Sequence, residues 1–149
     1  MKNYLTSFVF YDDTDCGGIM YHANYIKACE RARSLVFFEA DRFPHMHEDP
    51  SLEGFVVKTI ESDYLAPLRL GDFYEVQTKV LEIKNTSMIL KQEIHRLKEI
   101  GKASSPLLTF RLSIVMVYVG GDKRPKKIPQ VFRDLLAPFV ISDFATGAI

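Results

Sequence analysis

Residues 12–41 read DDTDCGGIMYHANYIKACERARSLVFFEAD, a turn-rich loop that runs into a helical pattern. Apolar residues recur at every third or fourth position in the second part, which predicts a helix over residues 24–41. The four consecutive apolar residues 35–38 cover most of the circumference of this helix, because successive residues turn by about 100°. A helix that is apolar nearly all round is buried on most sides, so we expect a sheet to wrap around it.

Five strands are predicted around this helix, one before it and four after it. The later strands are joined by short turns, and short connections force antiparallel neighbours because a parallel crossover needs a dozen or more residues. One long helix against a five-stranded antiparallel sheet is an α+β architecture. The last strand is apolar on both faces in its second half, which predicts a central position. The predicted strands cover residues 5–11, 54–65, 72–83, 87–97 and 107–119.

The chain has 149 residues, a length that suits a single domain. We expect a core over about residues 4–130 and a C-terminal tail over 131–149. A short helix at 130–136 is predicted within that region, since Pro129 suits a helix start. The last dozen residues look like a loosely specified tail.

Charge and composition exclude several classes of protein. The formal net charge is zero, which disfavours general nucleic-acid binding because phosphate neutralisation needs a basic excess. No apolar run approaches 18 residues, and the first residues lack a signal-peptide apolar region, so no membrane span or signal is predicted. Cys16 and Cys29 lack C-x-x-C spacing, which is typical of reduced thiols in a cytoplasmic protein.

Several motifs carry a family resemblance. The strings FYDDTDCGGIMYHANY at 10–25 and ERAR at 30–33 resemble the hot-dog-fold acyl-CoA thioesterases, as do YLAP at 64–67 and NTS at 85–87. They look most like the YbgC branch of the 4-hydroxybenzoyl-CoA thioesterase family, which is associated with Tol-Pal systems. The resemblance covers roughly residues 4–130, and the chain after about Phe132 runs longer than expected for the family.

The resemblance implies an enzyme of lipid metabolism that needs no cofactor or metal. Its substrate is an acyl-CoA, with acyl carrier protein as an alternative carrier. It implies homodimers whose sheets join edge to edge, with active sites at the subunit interface, and assembly into homotetramers. Peripheral association with the inner membrane is a further expectation.

Asp15 and His22 are the first candidate catalytic residues. Thioester hydrolysis needs a nucleophile or base and donors for the developing oxyanion. Asp15 matches the position of the family's catalytic acid, and a carboxylate either attacks directly or activates a water. The alternative is a turn aspartate that caps its own backbone. The ring of His22 could assist, and its N–H at the helix start could bind the thioester oxygen; the alternative is a packing or capping histidine.

Tyr11 is the third catalytic candidate, since its phenol could hydrogen-bond the nucleophile or the substrate. A structural role for Tyr11 in the core or at an interface is an alternative of equal weight. Tyr21 is expected in the pocket wall. Gly17 and Gly18 are expected to let the backbone pass close to a ligand, because neither carries a Cβ.

Thr86 and Ser87 open a strand, and in the family the comparable stretch reaches the site from a neighbouring subunit. Ordinary turn chemistry is the preferred alternative. The basic cluster at 123–127 could meet coenzyme A phosphates or an acidic membrane surface, or it is a solvated exit from the sheet. Phe37, Phe38, Phe55 and Tyr64 could line the acyl pocket or merely underlie it.

Metal sites are not expected. A calcium loop that starts at Asp13 would have Asn24 where a bidentate glutamate is required. His45 and His47 lie in a predicted loop without further nearby ligands, which disfavours a specific site.

Two rival functions remain. A dehydratase of the same fold would carry a His-Phe-Pro motif ahead of the helix, whereas Arg42-Phe43-Pro44 lacks the histidine and follows the helix. A non-catalytic scaffold that binds acyl thioesters or acyl carrier protein, linked to membrane phospholipid metabolism, would not need Asp15.

Overall fold

One helix lies against the inner face of a single antiparallel sheet in the computed structural model, which describes residues 4–42 and 53–141. The sheet has five strands in the order β1-β3-β4-β5-β2. The predicted α+β architecture is therefore confirmed. The elements are β1 Tyr4–Phe8, α1 His22–Glu39, β2 Gly54–Tyr64, β3 Phe73–Ile83, β4 Ser87–Lys98, β5 Leu107–Val119 and α2 Gln130–Leu136.

The core lies between α1 and the inner face of the sheet. Side chains of β3 alternate between buried and half-buried positions over residues 73–80, as the period-2 pattern predicts. The buried side of α1 carries small residues that allow close approach to the sheet, with Val36 and Phe37 further along. The inner sheet residues that close the core include Val76, Val80, Met88, Leu90, Ile94, Phe110, Leu112 and Ile114.

A β-bulge between Val57 and Thr59 changes which residues of β2 face the helix. Before the bulge, Val57 pairs with Met116, which packs against the core. After the bulge, Tyr64 pairs with the buried Phe110. One extra residue shifts the inward positions from odd to even numbers. Tyr64 therefore faces α1 and not the outside of the sheet.

Several element ends differ from the prediction by one to three residues, and the end of β1 and the start of α1 bear on the site. β1 ends at Phe8 because residues 11–13 form a 3₁₀ turn, closed by the Asp13 carboxylate, which accepts the Phe10 N–H at 2.9 Å. The Asp13 side chain thus has a structural role in this turn. The helix begins at His22, two residues before the expected start, with Tyr21 as an extended N-cap.

The structure differs from the expectation in how far α1 is buried and in where β5 lies in the sheet. Phe38 is 54% exposed, so one side of the helix is open in this chain. β5 is an interior strand as its apolar faces indicate, but β4 is the middle strand of the sheet.

Residues 130–141 of the C-terminal region pack onto the core. The helix at 130–136 is confirmed, and residues 137–139 add a 3₁₀ turn. Phe132, Leu136 and Phe139 are buried in the core cluster. The Ile141 N–H donates to the Val80 carbonyl at 3.0 Å, which fixes this segment on β3. The rest of the expected tail, and the stretch with His45 and His47, lie outside the described residues.

The basic cluster at 123–127 turns back onto the end of β5. The Lys126 N–H donates to the Tyr118 carbonyl at 2.9 Å, and the Lys126 ammonium pairs with Glu53. Lys126 of this cluster thus holds the end of β5 in place and is not simply solvated.

Candidate active site

Asp15 lies in a tight turn just before α1. Its N–H donates to the Ile19 carbonyl at 3.0 Å, and its carbonyl accepts the Gly18 N–H at 3.1 Å. Its carboxylate oxygen Oδ1 accepts the Gly17 N–H at 2.8 Å, while the side chain stays exposed. Gly18 has φ +76°, a left-handed conformation that favours glycine. The turn thus fixes one oxygen of a carboxylate that remains accessible.

The segment that follows β2 ties this turn to the body of the protein. Leu68 is fully buried, and its carbonyl accepts the Met20 N–H at 2.7 Å. The Leu68 N–H donates to the Tyr25 hydroxyl oxygen at 2.9 Å. Ile19 forms an antiparallel bridge with Arg69. The Asp15 turn and the first turns of α1 are therefore anchored to the same short segment.

The start of α1 presents backbone donors without a side-chain cap. Tyr21 is the N-cap residue and makes no side-chain capping bond, and its N–H donates to the Asp13 carbonyl at 2.8 Å. The Asn24 side-chain amide donates to the same carbonyl at 2.9 Å. His22 and Ala23 occupy the first two helical positions, whose N–H groups have no acceptor within a helix. The helix dipole favours negative charge at this end.

Asp15 and His22 line one cavity of about 410 Å³. Tyr64 forms part of its wall, and its hydroxyl donates to the His22 carbonyl at 2.7 Å. The Tyr21 ring packs on the His22 ring with 4.4 Å between centroids. The remaining lining residues are Ile19, Met20, Tyr25, Leu65, Ala66 and Pro67. Asp15, the first helical residue His22 and Tyr64 thus lie around a mostly apolar space.

Loss of solvation raises the pKa of two phenols in this wall. Loss of solvation raises the pKa of Tyr64 above its ordinary value of 10.0. The same cause raises the pKa of Tyr25, against a smaller lowering by the Leu68 N–H. The Tyr64 hydroxyl therefore keeps the proton that it donates to His22.

Four of the predicted site residues come together with Asp15 within one chain. His22 shares the cavity, Gly17 donates to the carboxylate, Gly18 closes the turn and Tyr21 stacks on His22.

Tyr11 is not brought to Asp15 within one chain. It is 82% exposed and lines a different cavity, together with Phe8, Phe10 and Ile100.

Thr86 and Ser87 lie at the opposite end of the sheet. Ser87 pairs with Val117, whereas Tyr64 pairs with Phe110 on the same strand. This separation is roughly 23 Å along β5, because a strand rises about 3.3 Å per residue. The Thr86 carbonyl accepts the Tyr118 N–H at 2.8 Å, a local structural contact. These two residues could reach an Asp15 only in a second copy of the chain.

Sequence reasoning missed how the segment after β2 builds the site. Tyr64 was expected only as a pocket or underlying residue, and Tyr25 was not singled out. The YLAP string at 64–67 was the signal available, since three of its residues line the cavity beside Tyr64.

Within residues 4–42 and 53–141, no group of three or more histidine, cysteine, aspartate or glutamate side chains is placed to bind a metal ion. No helix in the same ranges has the length and apolar character needed to cross a membrane. Cys16 is exposed and Cys29 buried, and neither forms a disulfide.

Comparison with known proteins places this chain in a family. A sequence model of the thioesterase superfamily matches residues 17–102, which span α1 to the end of β4. The acyl-CoA thioesterase YbgC of Helicobacter pylori is 35% identical over 133 residues, covering 87% of this chain and 96% of the relative. The acyl-CoA thioester hydrolase YbgC of Escherichia coli is 38% identical over 89 residues, covering 58% of this chain and 63% of the relative.

A solved structure supports the fold. The 1,4-dihydroxy-2-naphthoyl-CoA thioesterase of Synechocystis superposes with a TM-score of 0.77, at 16% identity, over 90% of this chain and 94% of that chain. The hot-dog fold expected from the motif strings is confirmed. With its matched family model and its relatives at 35–38% identity, the chain belongs to the thioesterase superfamily, as an enzyme of the YbgC type.

Proposed function

We propose that this enzyme hydrolyses acyl-CoA thioesters to the free acid and coenzyme A at the Asp15–His22 cavity. The observation that carries the proposal is that Asp15, with an exposed side chain, lines the same cavity as His22, the first residue of a helix whose start has no side-chain cap. The names of the relatives, acyl-CoA thioesterase and acyl-CoA thioester hydrolase, support the same substrate class.

Two routes fit the carboxylate. In one, an Asp15 oxygen attacks the thioester carbon, the coenzyme A thiolate leaves and takes a proton, and water then cleaves the mixed anhydride. In the other, Asp15 takes a proton from a water that attacks the same carbon. In both, the N–H groups at His22 and Ala23 hold the negative charge that develops on the carbonyl oxygen. The His22 ring is placed to orient the water or protonate the leaving thiolate.

An Asp15→Asn substitution tests this role. The asparagine oxygen can still accept the Gly17 N–H, so the turn is expected to survive. We expect kcat/KM for an acyl-CoA panel to fall about 10²- to 10⁴-fold, the typical contribution of a general acid–base group. The panel runs from short to long chains with one benzoyl thioester, and thiol release is measured.

Asp12→Asn is the matched control, since Asp12 is an exposed carboxylate three residues away that does not line the cavity. Its activity should equal that of the native chain. Native activity in a folded Asp15→Asn protein would contradict the proposal. Tight binding of acyl-CoA without turnover in the native chain would favour the non-catalytic scaffold instead.

We further propose that the edge strand β2 pairs with β2 of a second copy. Its exposed side chains include Val56, Val57 and Ile60, and an exposed apolar edge strand promotes pairing with another chain. Two-fold pairing of identical strands is antiparallel and closes into a dimer. The resemblance supports this homodimer and its assembly into a homotetramer.

A double substitution, Val56→Glu with Ile60→Glu, tests the dimer. The two substitutions place four carboxylates along the paired strands in place of apolar side chains, and we expect a monomer by sedimentation analysis. Val131→Glu is the control, because Val131 is equally exposed but lies on α2. A double variant with the native mass would contradict pairing through β2.

The finer expectations stay predictions. They are the assistance of Tyr11, the contribution of Thr86 and Ser87 from a partner subunit, acyl carrier protein as a second carrier, a cytoplasmic location and peripheral association with the inner membrane.

A further inference from the structure

A second cavity lies between α1 and the sheet, beneath the C-terminal half of the helix. Its volume is about 250 Å³, and most of its lining is apolar. Val36 and Phe37 come from α1, Val80 from β3 and Met88 from β4. The lining also includes the side chain of Arg33, which is buried and donates to Gln92 at 2.8 Å.

The C-terminal segment closes this cavity. Leu136 and Phe139 line it and are both buried. The bond from the Ile141 N–H to Val80 fixes the segment in place. These residues belong to the region that runs beyond the motif resemblance.

The cavity opens toward the edge of the sheet. Phe38 and Val57 line it and are also 54% and 47% exposed, so the mouth lies between them. Val57 belongs to β2, the strand proposed to pair with its copy. The mouth therefore faces the proposed subunit interface.

Two-fold symmetry brings the partner's site to this mouth. When two β2 strands pair antiparallel over their full length, the partner subunit's Tyr64 lies opposite Gly54, at the end of β2 that holds Val57. The partner subunit's Tyr64 contacts the partner subunit's His22, which shares a cavity with the partner subunit's Asp15. The Asp15 cavity of the same chain lies at the other end of α1, a helix about 27 Å long at 1.5 Å per residue.

We propose that this cavity receives the acyl chain of the thioester cleaved at the partner's Asp15, and that Leu136 and Phe139 set the longest chain it accepts. The inference rests on the proposed thioesterase activity and dimer. By the scale on which roughly 150 Å³ holds one benzene molecule, the cavity takes about ten carbon atoms. Met88 and Met116 add flexible lining that adapts to a chain.

Substitutions at the closed end test the assignment. Phe139→Leu enlarges the cavity and keeps its closed end apolar, whereas Leu136→Phe fills part of the cavity. We expect the preferred acyl chain to lengthen by about two carbons in the first and to shorten in the second. Each methylene that enters or leaves the cavity should change kcat/KM about fourfold, since its burial is worth about 0.8 kcal/mol. Val131→Ala, on the exposed side of α2, should keep the native profile.

Binding of S-alkyl-CoA thioethers separates this inference from the proposed activity. These compounds resist hydrolysis, so calorimetric dissociation constants over a ladder of chain lengths report the cavity alone. Opposite shifts in the two variants, in binding as in hydrolysis, support the inference. Thermal melts identify any variant that fails to fold. If one of the two fails, the direction in which the preferred chain length shifts in the other variant tests the inference.

The outcomes are distinguishable. Asp15-dependent hydrolysis with a length profile unchanged in both variants overturns the role of this cavity and leaves the proposed function intact. Length-dependent binding that shifts as expected, without turnover of any thioester, overturns the proposed function and supports the cavity assignment. Binding that does not depend on chain length overturns the cavity assignment in either case.

Discussion

At the scale of single residues, the Asp15 carboxylate accepts the Gly17 N–H at 2.8 Å and is still exposed to the cavity. Sequence reasoning treated the turn-capping and catalytic roles as alternatives. The geometry makes them compatible, because the cap uses one oxygen and orients the carboxylate. The same bond makes asparagine a fair replacement, since it removes charge and keeps the turn.

Tyr64 is a second residue whose effect is separable. In Tyr64→Phe the ring stays but the donor to the His22 carbonyl is lost. That carbonyl keeps its place in the helix hydrogen-bond ladder, so we expect the free energy of unfolding to fall by about 0.5–1 kcal/mol. Chemical denaturation measures this change. Tyr21→Phe is the control and should match the native protein; equal stability of both variants would contradict a contribution from the Tyr64 hydroxyl.

At the scale of elements, the junction between the Asp15 turn and α1 combines two glycines with different roles. At Gly18 an added Cβ would meet nothing within 4 Å, but φ is +76°. At Gly17 an added Cβ would lie 3.2 Å from Asp15 Oδ1. A side chain at Gly18 is therefore disfavoured by the backbone conformation, and one at Gly17 by its contact with the Asp15 carboxylate.

Alanine at these neighbours should therefore separate stability from activity. Gly18→Ala is expected to cost about 1–2 kcal/mol of unfolding free energy through its left-handed backbone. Gly17→Ala should displace the carboxylate by a few tenths of an ångström and lower kcat/KM about tenfold, with a smaller loss of stability. Parallel melts and thiol-release assays measure both. The reverse ranking would show that the carboxylate position is unimportant.

The elements show how far sequence patterns reach. The helix and all five strands are predicted because their apolar periods are long and regular. The end of β1 is missed because a side-chain bond from Asp13 to Phe10 stops the strand. The bulge after Val57 has no glycine to signal it, so the orientation of Tyr64 could not be derived. Asp15 and His22 were found through a motif string, whereas the cavity wall depends on tertiary packing.

At the scale of the whole molecule, burial holds several acidic groups in their neutral form. It raises the pKa of Cys29 from 9.0 to about 12, against a smaller lowering by Arg33. It also raises the pKa of Tyr74 and of Tyr118 above 10.0, and the bond to Glu53 adds to the shift at Tyr118. In the unfolded chain these groups ionise at their ordinary values.

The sign of the pH effect follows from these raised values. The stabilisation is complete below about pH 9 and is lost as the pH rises toward the folded values, because only the unfolded chain releases the protons. Each group lowers the free energy of unfolding by up to about 1.4 kcal/mol per pH unit in that range. Unfolding free energies between pH 8 and 11 should fall less steeply in Cys29→Ala than in the native protein. Val131→Ala, an exposed substitution that removes no ionisable group, should keep the native slope, and identical slopes in all three would contradict the burial effect.

The bulge in β2 also governs which length changes this enzyme could tolerate. Deleting Lys58 would straighten the strand, and Tyr64 would still point at α1 because the extra residue is the one removed. Deleting a residue between 60 and 63 with the bulge kept would instead rotate Tyr64 to the outer surface and separate its hydroxyl from His22. A deletion in this strand is therefore neutral for the site only where it removes the bulge, although all of these positions lie on the same edge.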